Sequence, residues 1–104
     1  MTITEALEQS QPGLMSRVTD AIRKQKLNQR SEQTYLHWIT RFVLFHDMKD
    51  PETLEADDQT AFLDYLREGM RASRARLNQA RQALGFFYEE VLNKHASTAN
   101  TAAA

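Results

Sequence analysis

The run from Ser31 to His46 constrains this chain more than any other segment. Within it Tyr35, Trp38, Ile39, Phe42, Val43 and Phe45 recur at three- and four-residue spacing, the period of an α-helix that turns one broad face to a core. An apolar arc so wide and so aromatic has to be covered by other helices. Ser31 is a suitable residue to cap this helix. Before it, Leu14 to about Gln25 places Leu14, Val18, Ala21 and Ile22 on one stripe, after a Pro12-Gly13 breaker. After it, Asp50-Pro51 interrupts the pattern, and Phe62, Leu63 and Leu66 mark a short helix from about Asp57 to Glu68, closed by Gly69. Ser73 caps a last helix that runs to about Asn93, with Leu77, Ala80, Leu84, Phe87, Tyr88 and Val91 on its core side. Phe86 falls outside that arc, so the second half of this helix is apolar almost all round, as in the central helix of a bundle. No strand-like alternation occurs and the connections are short. The expected fold is all-α, a four-helix bundle.

With 104 residues, there is room for one modest core and not for two. Residues 1–13 read as a flexible N-terminal segment, 14–94 as the domain, and 95–104 as a linker or chain end without apolar anchors. There is no cysteine, hence no disulfide framework, thiolate nucleophile or cysteine zinc site, which suits a reducing cytosol. No apolar run reaches membrane-spanning length, and the first residues do not resemble a signal peptide. A soluble, cytoplasmic domain with no membrane partner is expected.

The formal net charge of -1 hides a polarised distribution. From Arg17 to Arg30, five cations (Arg17, Arg23, Lys24, Lys26, Arg30) face one acid, Asp20, a balance of +4. From Arg67 to Arg81 the cations Arg67, Arg71, Arg74, Arg76 and Arg81 against Glu68 again give +4, while Asp47 to Asp58 carries -5. On the last helix Arg74, Asn78, Arg81 and Gly85 lie within about 60° of one another, at roughly 100° per residue, beside the apolar face. Arginine holds phosphate or a guanine edge through two hydrogen bonds, asparagine does the same for adenine, and glycine lets a backbone come close. An ordinary solvated helix face is the alternative. Thr34, His37 and Arg41 share the polar side of the Ser31 helix, just after Lys26, Arg30 and Ser31. A helix start flanked by cations is a natural phosphate anchor, or simply a capped end.

Catalytic chemistry is not evident. His37, His46 and His95 have no metal-ligand spacing, and Gly13, Gly69 and Gly85 stand alone, so neither a metal site nor a glycine-rich phosphate loop is expected. Tyr35, Tyr65 and Tyr88 occupy apolar contexts at helical spacing, where core packing is the default. Asp57-Asp58 and Glu89-Glu90 read as solvated charges. No cofactor and no small-molecule substrate are expected.

The run RSEQTYLHWITRFVLFH, Arg30 to His46, resembles the segment R-[ST]-E-x-x-Y-x-x-W-[IV]-x-R-F-[IV]-x-F-H of the N-terminal domain of integron-type tyrosine recombinases. Asn78 to Leu92 is similar to that family's N-Q-A-L-x-A-L-x-F-L-Y-x-x-V-L, and Phe62-Leu63 with Leu66 matches its F-L-x-x-L. The resemblance covers about Leu14 to Leu92. It implies an orthogonal four-helix bundle, the SAM-like core-binding domain of a site-specific recombinase, lying on one side of double-stranded DNA. The catalytic tyrosine, arginines and histidine of such enzymes belong to a second domain, so this chain is expected to be no enzyme by itself. The family's DNA-facing helices correspond to the two basic segments, which carries Arg30, Ser31 and Asn78 over as contacts. Departures are Ala75-Arg76, where relatives usually have Ser-Thr, and Arg81, where leucine is common.

Taken together, the expected DNA-binding residues are Lys26, Arg30, Ser31, Thr34, Arg41, Arg74, Arg76, Asn78 and Arg81. The expected partners are double-stranded DNA and the catalytic domain of the same or another recombinase. A competing expectation is a protein-interaction bundle, an integrase remnant or regulator that pairs with another recombinase through Leu44 and Phe86, which fall off the core faces of their helices.

Overall fold

The computed structural model describes residues 3–93, with only the backbone of Ile3. The linker expected at 95–104, and Lys94 at the edge of the expected domain, lie outside the described residues. Five α-helices form: α1 (Ile3–Ser10), α2 (Leu14–Lys24), α3 (Gln29–Phe45), α4 (Ala56–Asp64) and α5 (Arg74–Phe86). A 3-10 turn at Pro51–Thr53 lies in the connection before α4, and π-helical turns at Tyr65–Gly69 and Phe87–Val91 continue α4 and α5. No strand occurs among the described residues.

The aromatic arc of α3 is the axis of the core, with Leu36, Trp38, Ile39, Phe42 and Val43 all buried. Its main partner is α5, where Ala80 and Ala83 are fully buried and, having so little side chain, let the two helices come close. The Phe42 ring meets Phe62 of α4 edge-on at 5.5 Å and Tyr88 of the last π-helical turn at 6.0 Å. Tyr88 also donates its phenol proton to the Pro51 carbonyl at 2.9 Å, which ties the end of α5 to the acidic connection. Burial, followed by the nearby Asp58 and Asp50 charges, pushes that phenol far above its usual pKa. It stays protonated and has a structural partner.

The N-terminal segment departs from expectation. Residues 3–10 form α1 rather than a flexible end, with Ala6 and Leu7 completely buried against α3 and α2. The Glu8 carboxylate accepts from the backbone N–H groups of Gly13 (2.9 Å) and Met15 (3.1 Å), giving α2 the terminal acceptors that its glycine cap cannot offer. So short and polar a segment has little helical preference alone; tertiary burial of two side chains decides it.

Helix ends also shift. Asn28, not Ser31, caps α3, its side chain accepting from the Ser31 N–H at 2.8 Å. Ser73 caps α5 as expected, accepting from the Arg76 N–H. Asp58, expected as a solvated charge, accepts from the Glu55 N–H at 2.7 Å and so caps α4. The α4 segment closes at Gly69 as expected, and the left-handed residue that turns the chain lies just beyond it at Arg71, φ 52. Lys26 and Asp47 do the same after α2 and α3, where the N–H of Leu27 reaches back to Ile22 and that of Met48 to Val43. Tyr65, expected in the core, is 41% exposed, and Phe45 is 37% exposed. Phe86, expected on the surface, is half-buried with its ring 4.9 Å from Tyr35.

Because Leu7 is a full member of the core, Leu7→Ala should lower unfolding stability by roughly 2–5 kcal/mol in denaturant titrations. An unchanged midpoint would mean that α1 is not part of the folded unit.

Candidate functional site

Which cations are free is decided by where the acids sit. Arg17 is used inside the fold: its guanidinium donates to Glu52 (2.7 Å), Gln11 (2.7 Å) and the Val91 carbonyl (3.0 Å), joining α2, the connection and the end of the chain's last helix. Arg67 pairs with Asp64 and Glu68, each at 3.1 Å, and Arg23 lies 3.9 Å from Asp20. By contrast Lys26, Arg30, Arg41, Arg71, Arg74, Arg76 and Arg81 have no ion-pair partner among the described residues. The two basic segments are thus each partly neutralised, and their unpaired cations lie at Lys24, Lys26 and Arg30, up to the first turn of α3, and from Arg71 to Arg81 on and before α5; Arg41 on α3 and Lys49 after it are unpaired among the described residues as well.

On α3, Arg30, Thr34, His37 and Arg41 follow one another at i, i+4, i+7 and i+11, a single stripe opposite the buried Ile39 and Phe42 side. Arg30 and His37 are exposed, Thr34 and Arg41 half-buried. Lys26 is exposed in the turn before the helix, and the half-buried Ser31 spends its N–H on Asn28. The stripe's far end meets α5. The guanidiniums of Arg41 and Arg76 lie 5.9 and 5.8 Å from the centre of the Trp38 ring, at the outer range of cation–π contact, which brings both charges to the same ring. Trp38 itself is only 3% exposed. Beside it opens a cleft of about 220 Å³, lined by Trp38, Arg41, Leu66, Arg71, Ser73 and Arg76 among others.

His37 registers this local field. Partial burial, then the Arg41 and Arg76 charges, hold its pKa below the ordinary 6.5. Its ring sits edge-on to Trp38 at 4.8 Å.

The expected residues therefore divide into two groups. Arg30, Thr34, Arg41 and Arg76 belong to the surface that starts on α3 and ends at the cleft. Arg74, Asn78 and Arg81 form a separate exposed stripe on α5, on the helix side away from Ala80 and Ala83, where Arg81 donates to the Asn78 side-chain oxygen at 3.3 Å. Gly85 continues that stripe, and a Cβ placed there meets nothing within 4 Å, so the chain's own packing does not demand glycine. Arg71 and Trp38 complete the cleft and were not among the expected site residues. Arg71 lies in a turn without periodicity, and Trp38 reads as core, which it also is.

A second concavity, of about 310 Å³, lies between Arg41, Leu44, Phe45, Phe62 and Tyr65. Leu44 is 45% exposed, as expected from its place off the core face. His46 has a structural contact, its Nε2 lying 2.9 Å from the Asp58 carbonyl oxygen. No described helix is long and apolar enough to cross a membrane.

With burial first and the two arginines second holding His37 down, NMR titration should give its pKa below 6.5, and Arg76→Gln should raise it part of the way back. The sign follows from linkage: a proton bound more tightly by the unfolded chain means that this group lowers stability as pH falls through 6.5 and contributes nothing well above it. A His37 that titrates normally and ignores Arg76→Gln would contradict the assignment.

Comparison with known proteins gives the arrangement a context. Residues 14–98 match the phage integrase, N-terminal SAM-like domain family. Proteins described as integrase/recombinase from Escherichia coli and from Pseudomonas aeruginosa are each 35% identical over 79 residues, 76% of this chain and 23% of the relative. The chain thus spans about a quarter of the length of the curated relatives it matches.

Proposed function

From its membership of the phage integrase N-terminal SAM-like domain family, to which this chain belongs, we propose that it is a DNA-binding domain of a tyrosine recombinase. It acts as the core-binding half of a clamp whose catalytic chemistry is performed by another domain. The observation that carries this reading is the segregation of unpaired cations: Arg17 is paired by the half-buried Glu52 and Arg67 by its surface neighbours Asp64 and Glu68, whereas the outward stripe of α3 and the first half of α5 keep their charge. A protein surface that binds the phosphate backbone needs that distribution. Lys26, Arg30, Ser31, Thr34, Arg41 and Arg76 supply positioning contacts to phosphates. Arg74, Asn78 and Arg81 supply base-edge contacts, and Gly85 leaves room on the same stripe for a groove wall to approach. The motif from Arg30 to His46 favours the integron-type branch of the family. The site of action is the cytoplasm, on double-stranded DNA.

The exposed Leu44, Phe45 and Tyr65 surface favours a second reading, in which the bundle also seats a recombinase catalytic domain. Titration against duplex and against a separately expressed catalytic domain distinguishes the two.

With at most four of these cations (Lys26, Arg30, Arg41 and Arg76) on separate phosphates, log K for a short duplex should fall against log salt with a slope of about -3 to -4. Arg74→Ala and Arg81→Ala should weaken binding while leaving helicity intact. A slope near zero, or no binding at low salt, would sink the proposal.

A further inference from the structure

We propose that the cleft between Trp38 and the start of α5 is a discrete oxyanion pocket that receives one phosphate group of the DNA backbone, gripped by Arg41, Arg71 and Arg76. The source of the phosphate rests on the DNA-binding reading above; the anion chemistry rests on the cleft itself.

Three guanidiniums border the cleft and no carboxylate lines it. None of the three has an ion-pair partner among the described residues. Converging like charges with no acid between them repel, and an anion in their midst removes that repulsion. Each arginine arrives from a different element: Arg41 from α3, Arg71 from the turn after the π-helical Tyr65–Gly69 segment, and Arg76 from the first turns of α5. Such three-sided placement suits a tetrahedral group better than a planar one. Arg41 and Arg76 are both brought to the Trp38 ring beneath them, which reduces the entropy that long side chains lose on binding. Ser73 satisfies only the Arg76 N–H, so the first N–H groups of α5 lack helical acceptors on the same side of the fold.

Size and chemistry narrow the ligand. At about 220 Å³ the cleft is smaller than the roughly 300–1,000 Å³ typical of sites for larger organic ligands. Trp38, 3% exposed, presents no free face on which a base could stack. Leu66, 1% exposed, gives the cleft an apolar floor that strengthens charge attraction above it. What remains is a single phosphate, fixed at the junction of the α3 stripe and α5, from which the Arg74, Asn78 and Arg81 stripe takes its register.

Trp38 is the sole tryptophan, so its fluorescence reports on this cleft alone. Titrating the chain with inorganic phosphate, at constant ionic strength kept with chloride, should give a saturable change. Its Kd should rise about tenfold or more in Arg71→Gln and in Arg76→Gln and stay unchanged in Lys49→Gln, with circular dichroism constant throughout. In duplex binding, each of the two arginine variants should weaken affinity at low salt about tenfold or more, and Arg71→Gln combined with Arg76→Gln should make the salt slope shallower by at most about 1. A phosphate response that is linear, or equal in Arg71→Gln, overturns the pocket. A saturable phosphate response that both variants weaken, with duplex affinity unchanged in both, overturns the backbone assignment. Saturation by phosphate with no duplex binding at all would instead defeat the DNA reading and leave the pocket to a free phosphate compound.

Discussion

The packing of α3 against α5 is the interaction on which the remaining structure depends. Ala80 and Ala83 let the helices approach, and Phe42 fills the space between them, α4 and Tyr88. One helical turn before Phe42, Trp38 lies at the edge of the same contact, where the core gives way to solvent. There the position of Arg76, four residues before Ala80 on α5, brings its guanidinium to the ring that Arg41 also covers. The cationic surface is thus an extension of the core: the same helix pair that buries the apolar arc fixes where the charges go.

Charge balance is best understood at the level of pairs. Arg17 joins three parts of the chain through Glu52, Gln11 and Val91, and it is half-buried, so its contribution is structural. The acidic connection, -5 in sequence, is partly consumed by the fold. Asp50 accepts from the Glu52 N–H and from Gln11, Glu52 holds Arg17, and Asp58 caps α4. Near-neutral composition therefore conceals a molecule whose acids are concentrated away from the outward side of α3.

Much of this was legible in the residues. The periodicity of α2, α3 and α5, the Ser73 cap, the exposed Leu44 and the basic segments could be read because three- and four-residue spacing and charge are local properties. α1 could not, since its helix is decided by the burial of Ala6 and Leu7 against elements far along the chain. The start of α3 was placed too late because Asn28, outside the apolar period, supplies the cap in place of Ser31. The cleft was hidden for the same reason: Arg41, Arg71 and Arg76 have no common spacing, and only the turn after Gly69 brings them together. The separate Arg74, Asn78 and Arg81 stripe was legible from its spacing, and Arg76 lies on the opposite side of α5.

The proposed DNA-facing residues lie in two groups, one from the outward side of α3 to the Trp38 cleft and one on the Arg74, Asn78 and Arg81 stripe of α5. Amide chemical-shift mapping with a short duplex at low salt tests this proposal most directly. Shifts are expected along Arg30, Thr34, His37 and Arg41 and from Arg71 through Arg81, with α1 silent. Shifts confined to α1, or to Leu44, Phe45 and Tyr65, would contradict it.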